Sequence, residues 1–166
     1  MKTTLVLGLG NILLRDEGVG VRVVERLQRL YRFPAEVQLL DGGTLGLDLL
    51  PYVEAVDRLL IVDALELDAA PGTVARLEGA EVPATLSVKL SPHQVGVADL
   101  LAAARLRGRC PAELVLWGAQ PGVIEVGLDL SAAVAGQVDV LADRALAELQ
   151  GWGIGYTRRL EEQEGR

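Results

Sequence analysis

Short apolar runs without polar alternation recur along the chain, each separated from the next by a segment whose apolar residues have helical spacing. The strand-like runs cover residues 4–9, 36–40, 58–62 and 113–118, and the helical segments cover 19–30, 45–56, 93–106 and 131–149. Unbroken apolar runs are typical of strands that are buried on both faces. The order strand–helix–strand therefore predicts an α/β fold. Right-handed crossovers connect the parallel strands of its sheet, and helices cover both faces.

The connecting segments carry weaker signals. Thr44 is placed to cap the helix over 45–56, and Pro51 is expected to kink or divide that helix. Residues 73–77 alternate after a Pro71-Gly72 turn, which predicts an edge strand, and residues 79–92 are expected to form a loop. We expect residues 1–153 to form one domain and the polar residues 154–166 to form a flexible tail.

Charge and cysteine content exclude several classes of function. The net charge of −7 disfavours a nucleic-acid partner, because phosphate backbones require clustered lysine and arginine. The single cysteine, Cys110, cannot form an internal disulfide, which favours a reducing cytoplasm. No apolar stretch approaches the ~20 residues of a membrane helix, so no membrane partner is expected.

Three titratable residues fall where a ligand site is expected. In an open parallel sheet, ligands bind beyond the carboxyl ends of the strands, where the strand order reverses. With the first strand central, that crevice lies between the first and third strands, which lead into Glu17 and Asp63. The only histidine, His93, begins the helix over 93–106, and a helix N-terminus favours its neutral, metal-binding form. Two carboxylates and one imidazole suit a borderline ion such as zinc or nickel.

Each of these residues also has a purely structural interpretation. Asp16 and Glu17 could stabilise the N-terminus of the following helix through its dipole. Asp63 could end its strand by accepting backbone hydrogen bonds in the next turn, and a lone histidine is often structural. Sequence alone leaves these alternatives open.

The glycine loop after the first strand suggests a different class, a small nucleotide-binding module. Gly8-Leu9-Gly10 leads toward a helix, and Asp41 ends the second strand where a ribose-binding acid would lie. However, Leu13 occupies the third glycine position of that fingerprint. Acidic residues at the helix start would also repel a pyrophosphate, so a role in a tight turn is favoured.

Four separated motifs resemble the hydrogenase maturation proteases. They are GLGNILLRDEGVG at 8–20, DGGT at 41–44, IVDA at 61–64 and SPHQ at 91–94, and the resemblance extends over roughly residues 3–150 in the same order. It implies a twisted five-stranded sheet with one antiparallel strand, lying between helices. It also implies an endopeptidase that removes a C-terminal extension from the large-subunit precursor of nickel–iron hydrogenase after nickel insertion.

The resemblance also implies roles for individual residues. Glu17, Asp63 and His93 correspond to the metal-binding and catalytic residues, and Asp16 beside them is a further catalytic candidate. The nickel would be supplied by the substrate, although zinc or cadmium can occupy such a site in vitro. The loop formed by Asp41, Gly42, Gly43 and Thr44 would bind substrate, and the enzyme is expected to be a cytoplasmic monomer, aspartic-type or metal-dependent. A non-enzymatic nickel-binding assembly factor is the main alternative.

Overall fold

The computed structural model describes residues 1–87 and 92–160, and the side chains of residues 86–95 fall outside that description. The strands are β1 (Thr4–Leu9), β2 (Tyr31–Arg32), β3 (Val37–Gly43), β4 (Arg58–Ala64), β5 (Val74–Glu78), β6 (Glu113–Ala119) and β7 (Thr157–Arg158). The helices are α1 (Val19–Leu30), α2 (Leu50–Glu54), α3 (Glu81–Ser87), α4 (Pro92–Leu106), α5 (Ala132–Ala135) and α6 (Val138–Gly151). Two 3-10 turns, Arg15–Gly18 and Gly46–Leu49, precede α1 and α2.

The central sheet has five strands in the order β3-β1-β4-β6-β5. β1 pairs in parallel with β3 on one side and with β4 on the other, and β6 continues the parallel sheet beyond β4. The strand order therefore reverses between β1 and β4, as the sequence predicts. β5 runs antiparallel to β6 at the edge, which confirms both the edge strand and the antiparallel strand that the resemblance implies.

Strand alternation divides the core into two layers, as it does in any sheet that is buried on both faces. In β4, the even-numbered residues Leu60 and Val62 pack with α1 and α6, whereas Leu59 and Ile61 pack with α2 and α4. Helices thus cover both faces of the sheet, and the predicted α/β fold is confirmed. The alternation also assigns the next odd-numbered position of β4, Asp63, to the face that α2 and α4 cover.

Local predictions differ from the structure in three places. Residues 79–92 are not all loop, because α3 forms around the fully buried Val82. The helix predicted over 131–149 is divided into α5 and α6, with Gly136 at the C-cap of α5. Thr44 does not cap a helix, since the turn after it starts at Gly46 and has no side-chain cap. Pro51 lies in the first turn of α2, at the boundary with the preceding 3-10 turn.

After Trp152 the chain packs back against the domain, and the flexibility predicted for residues 154–166 stays a prediction. Ile154 is buried, and β7 pairs antiparallel with β2. The Tyr156 ring meets the edge of Tyr31 at a centroid distance of 5.3 Å. Residues 161–166 of the predicted tail lie outside the described residues. Within the described chain, no helix is both long and apolar enough to cross a membrane.

Candidate active site

Two acidic residues lie at the point where the strand order reverses. Asp63 is the penultimate residue of β4 and is fully buried, on the face that α2 and α4 cover. Glu17 is 8% exposed in the 3-10 turn before α1, and that turn packs against β4. The structure therefore brings the elements that carry the two predicted acids together, although the acids are 46 positions apart in sequence (63 minus 17).

Glycines allow this close packing. Gly10 follows β1 with a φ of +118°, and a Cβ there would lie 1.8 Å from the carbonyl oxygen of Glu17. A Cβ at Gly20, near the start of α1, would lie 2.0 Å from the carbonyl oxygen of Val62. Any side chain at either position would push the Glu17 turn away from the ends of β1 and β4. The glycines of the 8–20 motif thus set the position of Glu17 by close backbone packing.

His93 is the second residue of α4, the helix that packs on the same face of the sheet as Asp63. Its side chain lies outside the described residues, so its predicted role stays a prediction. Among the side chains that are described, no three His, Cys, Asp or Glu residues form a group able to hold a metal ion.

Asp16 is fully buried, and its carboxylate is hydrogen-bonded to the segment between β6 and α5. Its Oδ2 accepts hydrogen bonds from the backbone N–H of Gly122 at 2.9 Å and of Val123 at 2.8 Å. Ser131 donates both its N–H to Oδ1 and its hydroxyl to Oδ2, each at 2.7 Å. Burial raises the pKa of the Asp16 carboxyl, but these four hydrogen bonds outweigh burial and lower the pKa below its ordinary value of 3.8.

The same segment is held by backbone contacts to the loop after β1. Arg15 donates its backbone N–H to Gly127 O, and Gly127 donates to Leu13 O at 2.9 Å. The Arg15 side chain also donates its Nε–H to Asp129 O at 2.8 Å. Sequence reasoning missed this segment, because it carries no regular pattern and its partners lie more than 100 positions away.

The predicted substrate-binding residues 41–44 do not form a separate loop, because Asp41, Gly42 and Gly43 are the last three residues of β3 and only Thr44 follows the strand. Asp41 is exposed, and its Oδ1 accepts the Gly43 N–H at 2.9 Å, which closes the turn. Gly42 is buried against the core, whereas Thr44 is exposed. Gly10 donates its N–H to Gly43 O at 2.9 Å and so joins this segment to the loop that leads to Glu17. Residues 41–44 are therefore positioned beside the candidate acids, and substrate binding by them stays a prediction.

Comparison with known proteins identifies the family. A family model for hydrogenase maturation protease matches residues 21–148. The chain is 46% identical to the hydrogenase expression/formation protein HupD of Rhodobacter capsulatus, over 93% of this chain and 74% of that protein. It is 44% identical to the hydrogenase 2 maturation protease of Escherichia coli, over 90% of this chain and 92% of that protein.

Solved structures agree with the sequence comparison. The hydrogenase maturating endopeptidase HybD from E. coli superposes with a TM-score of 0.92 at 42% identity, covering 95% of this chain and 98% of that one. The fold is that of an α/β endopeptidase. The chain belongs to the hydrogenase maturation protease family.

Proposed function

We propose that this endopeptidase removes the C-terminal extension of a nickel–iron hydrogenase large-subunit precursor after nickel has been inserted. The observation that carries the proposal is the burial of Glu17 and Asp63 on adjoining elements where the strand order reverses. Ligands of open α/β sheets bind at this position. Family membership supports the peptidase activity, and the two acids supply the chemistry that the activity needs.

The metal belongs to the substrate in this proposal. Two carboxylates and the imidazole of His93 form a mixed oxygen and nitrogen donor set, which suits nickel and also accepts zinc or cadmium in vitro. Glu17, Asp63 and His93 would bind nickel that the precursor already holds, and this binding would align the scissile peptide bond with the crevice. Such alignment can account for a large part of the rate enhancement.

Peptide hydrolysis then requires an activated water molecule. The carboxylate of Glu17 or Asp63 can accept a proton from this water while the water oxygen attacks the scissile carbonyl. The carboxylic acid then passes the proton to the leaving amine. Substrate nickel can alternatively acidify the water directly. Both routes use the same side chains, so the aspartic-type and the metal-dependent mechanisms share one site.

The segment of Asp41, Gly42, Gly43 and Thr44 is proposed to guide the substrate chain toward these acids. The hydrogen bond from Gly10 N–H to Gly43 O supports this role, because it fixes these residues to the segment that carries Glu17. We further propose that the enzyme acts in the cytoplasm as a monomer. The single, unpaired Cys110 is compatible with that compartment.

The proposal is tested with purified precursor in nickel-loaded and nickel-free forms. Wild-type enzyme should shorten only the loaded form, as seen by mass spectrometry, and His93→Ala and Glu17→Gln should lose that activity. Glu25→Gln, on the exposed face of α1, serves as the matched control. Equal cleavage of both precursors would exclude nickel recognition, and full activity of His93→Ala would exclude the site. Tight binding of free nickel with no change in precursor length would instead indicate an assembly factor.

A further inference from the structure

A small cavity of about 50 Å³ lies between the loop after β3 and helix α4. Its floor is apolar and consists of buried leucines, namely Leu9, Leu49 and Leu100. The more exposed part of its lining, which we take as its mouth, consists of Thr44 and the backbone of Gly43, Gly46 and Gly96. We call this cavity the aliphatic pocket. Of the described residues that line it, none carries a charge.

The aliphatic pocket adjoins the candidate active site on two sides. Leu9 ends β1, one residue beyond the Gly8–Val62 pair, and Asp63 lies one residue beyond that pair on β4. Gly43, at the mouth, is hydrogen-bonded to Gly10, which packs on the backbone of Glu17. The pocket and the candidate acids are therefore joined by direct backbone contacts.

Helix α4 provides a third connection. Gly96 follows His93 by three residues, and positions three apart on a helix share a face, roughly one turn or ~5 Å along the axis. The wall of the pocket and the predicted nickel-binding position thus lie on the same face of one helix. If the scissile bond of a substrate peptide lies near position 93, the side chain of a substrate residue next to that bond can reach the pocket.

We propose that the aliphatic pocket receives a branched aliphatic side chain of the precursor, from one of the two residues that flank the cleaved bond. This inference rests on the proposed function and adds a specificity site to it. At roughly 10–15 Å³ for each water-sized group, the cavity holds roughly three to five groups of methyl size. A cavity that binds benzene has a volume of about 150 Å³, so the pocket favours a small aliphatic side chain over phenylalanine. The apolar floor disfavours a charged side chain, which would lose its hydration there.

The glycines at the mouth fit the same interpretation. A glycine in the interior of a helix reduces its stability, and Gly96 lies inside α4. A Cβ at Gly96 would have Gly46 Cα as its nearest neighbour, at 3.7 Å, which is an ordinary contact. Packing therefore does not require glycine at this position. Space for a substrate side chain gives a reason for it.

Gly96→Ala tests the pocket without damaging the fold. The added methyl group narrows the mouth, and replacing an interior helical glycine should raise Tm by roughly 1–4 °C. Gly151→Ala is the matched control, because Gly151 ends α6 and a Cβ there meets nothing within 4 Å. Val97→Ala is the reciprocal variant, since Val97 is a buried wall residue whose truncation enlarges the pocket.

The experiment compares these enzymes on nickel-loaded precursors in which each residue flanking the cut is changed, one at a time, to Ala, Val or Leu. For wild-type enzyme, kcat/KM should fall about 10-fold or more when the accommodated residue is cut back to Ala. Gly96→Ala should lose about 10-fold on the Val and Leu precursors and little on the Ala precursor, and Val97→Ala should shift preference toward Leu.

Two negative outcomes are distinguishable. If wild-type enzyme cleaves the precursors and Gly96→Ala has the same side-chain preference as both the wild type and the control Gly151→Ala, the pocket is not a specificity site. If folded wild-type enzyme leaves every nickel-loaded precursor intact, the proposed function itself fails, and the inference that rests on it fails as well.

Discussion

The carboxylate of Asp16 accepts two hydrogen bonds from Ser131, one from its N–H and one from its hydroxyl, across 115 positions of sequence. This contact joins the turn before α1 to the residue that precedes α5. Because Asp16 directly precedes Glu17, it also fixes the backbone that carries the candidate acid. The contacts favour a structural role for Asp16 over the catalytic role predicted from sequence, and the first prediction distinguishes the two.

Asp16→Asn should lower the free energy of unfolding by roughly 2–4 kcal/mol, since the amide replaces a buried charged acceptor and turns an NH₂ group toward N–H donors. Ser131→Ala, which removes one of the four hydrogen bonds, should cost about 1.5 kcal/mol. Asp41→Asn is the control, because Asp41 is exposed and its carboxylate accepts only a local hydrogen bond from Gly43 N–H; this change should cost less than about 1 kcal/mol. Urea unfolding measures all three. A catalytic role would instead appear as lost activity with unchanged stability.

Acid should destabilise the fold partly through Asp16 and Glu148. Burial raises the pKa of Glu148, but hydrogen bonds from Arg76 and Trp117 outweigh burial and lower this pKa below its ordinary value of 4.5. The pKa of Asp16 likewise lies below its ordinary value of 3.8. When folding lowers the pKa of a carboxyl group, its ionised form stabilises the fold at pH values above the ordinary pKa. This stabilisation is lost as the pH falls through the pKa that the group has in the folded protein. Tm should therefore decline below about pH 4.5. The decline should be shallower in Asp16→Asn, and an identical acid slope in both proteins would contradict the assignment.

Glu17→Gln and Asp63→Asn should each reduce kcat/KM on nickel-loaded precursor by about 100-fold or more, because an amide can neither accept the proton nor bind metal as a carboxylate does. Single-turnover cleavage followed by mass spectrometry measures the effect. The circular dichroism spectrum should remain that of the wild type. Activity within about threefold of wild type in both variants would remove the two acids from the reaction.

Tyr156→Ala should reduce stability without affecting processing. The ring packs against Tyr31 and Phe33, with centroid distances of 5.3 and 6.1 Å, far from the candidate acids. Such aromatic pairs contribute about 0.5–1.5 kcal/mol beyond their buried area. Differential scanning calorimetry should show a lower Tm, together with unchanged kcat/KM at 25 °C. A Tm equal to that of the wild type would mean that β7 is not held by this cluster.

Much of the fold could be predicted from periodicity. The bounds of β1 and α1 agree with the apolar patterns over 4–9 and 19–30, because β1 is buried along its whole length and α1 buries one regular apolar face, so each pattern is complete within its own element. The prediction of a loop over 79–92 is wrong for residues 81–87, which form α3 although the segment contains Pro83. Pro83 lies in the first turn of α3, where a missing N–H is tolerated, and burial of Val82 stabilises the helix.

The site was predictable to a different degree. The approach of the Glu17 turn to β4 follows from strand order, which the alternation of elements predicts. The partners of Asp16 do not, because Gly122, Val123 and Ser131 lie in an irregular segment with no periodicity. The aliphatic pocket was also beyond sequence reasoning, since its walls come from β1, the loop after β3 and α4, and only tertiary packing assembles them.

The missing Cβ atoms at Gly10 and Gly20 have a consequence for protein engineering. With a Cβ positioned 1.8 Å from Glu17 O and 2.0 Å from Val62 O, neither position tolerates even alanine without displacing main chain. Transplanting the acids alone onto another doubly wound scaffold would therefore fail. The grafted unit must include the whole stretch from the end of β1 into α1, together with the strand on which it rests.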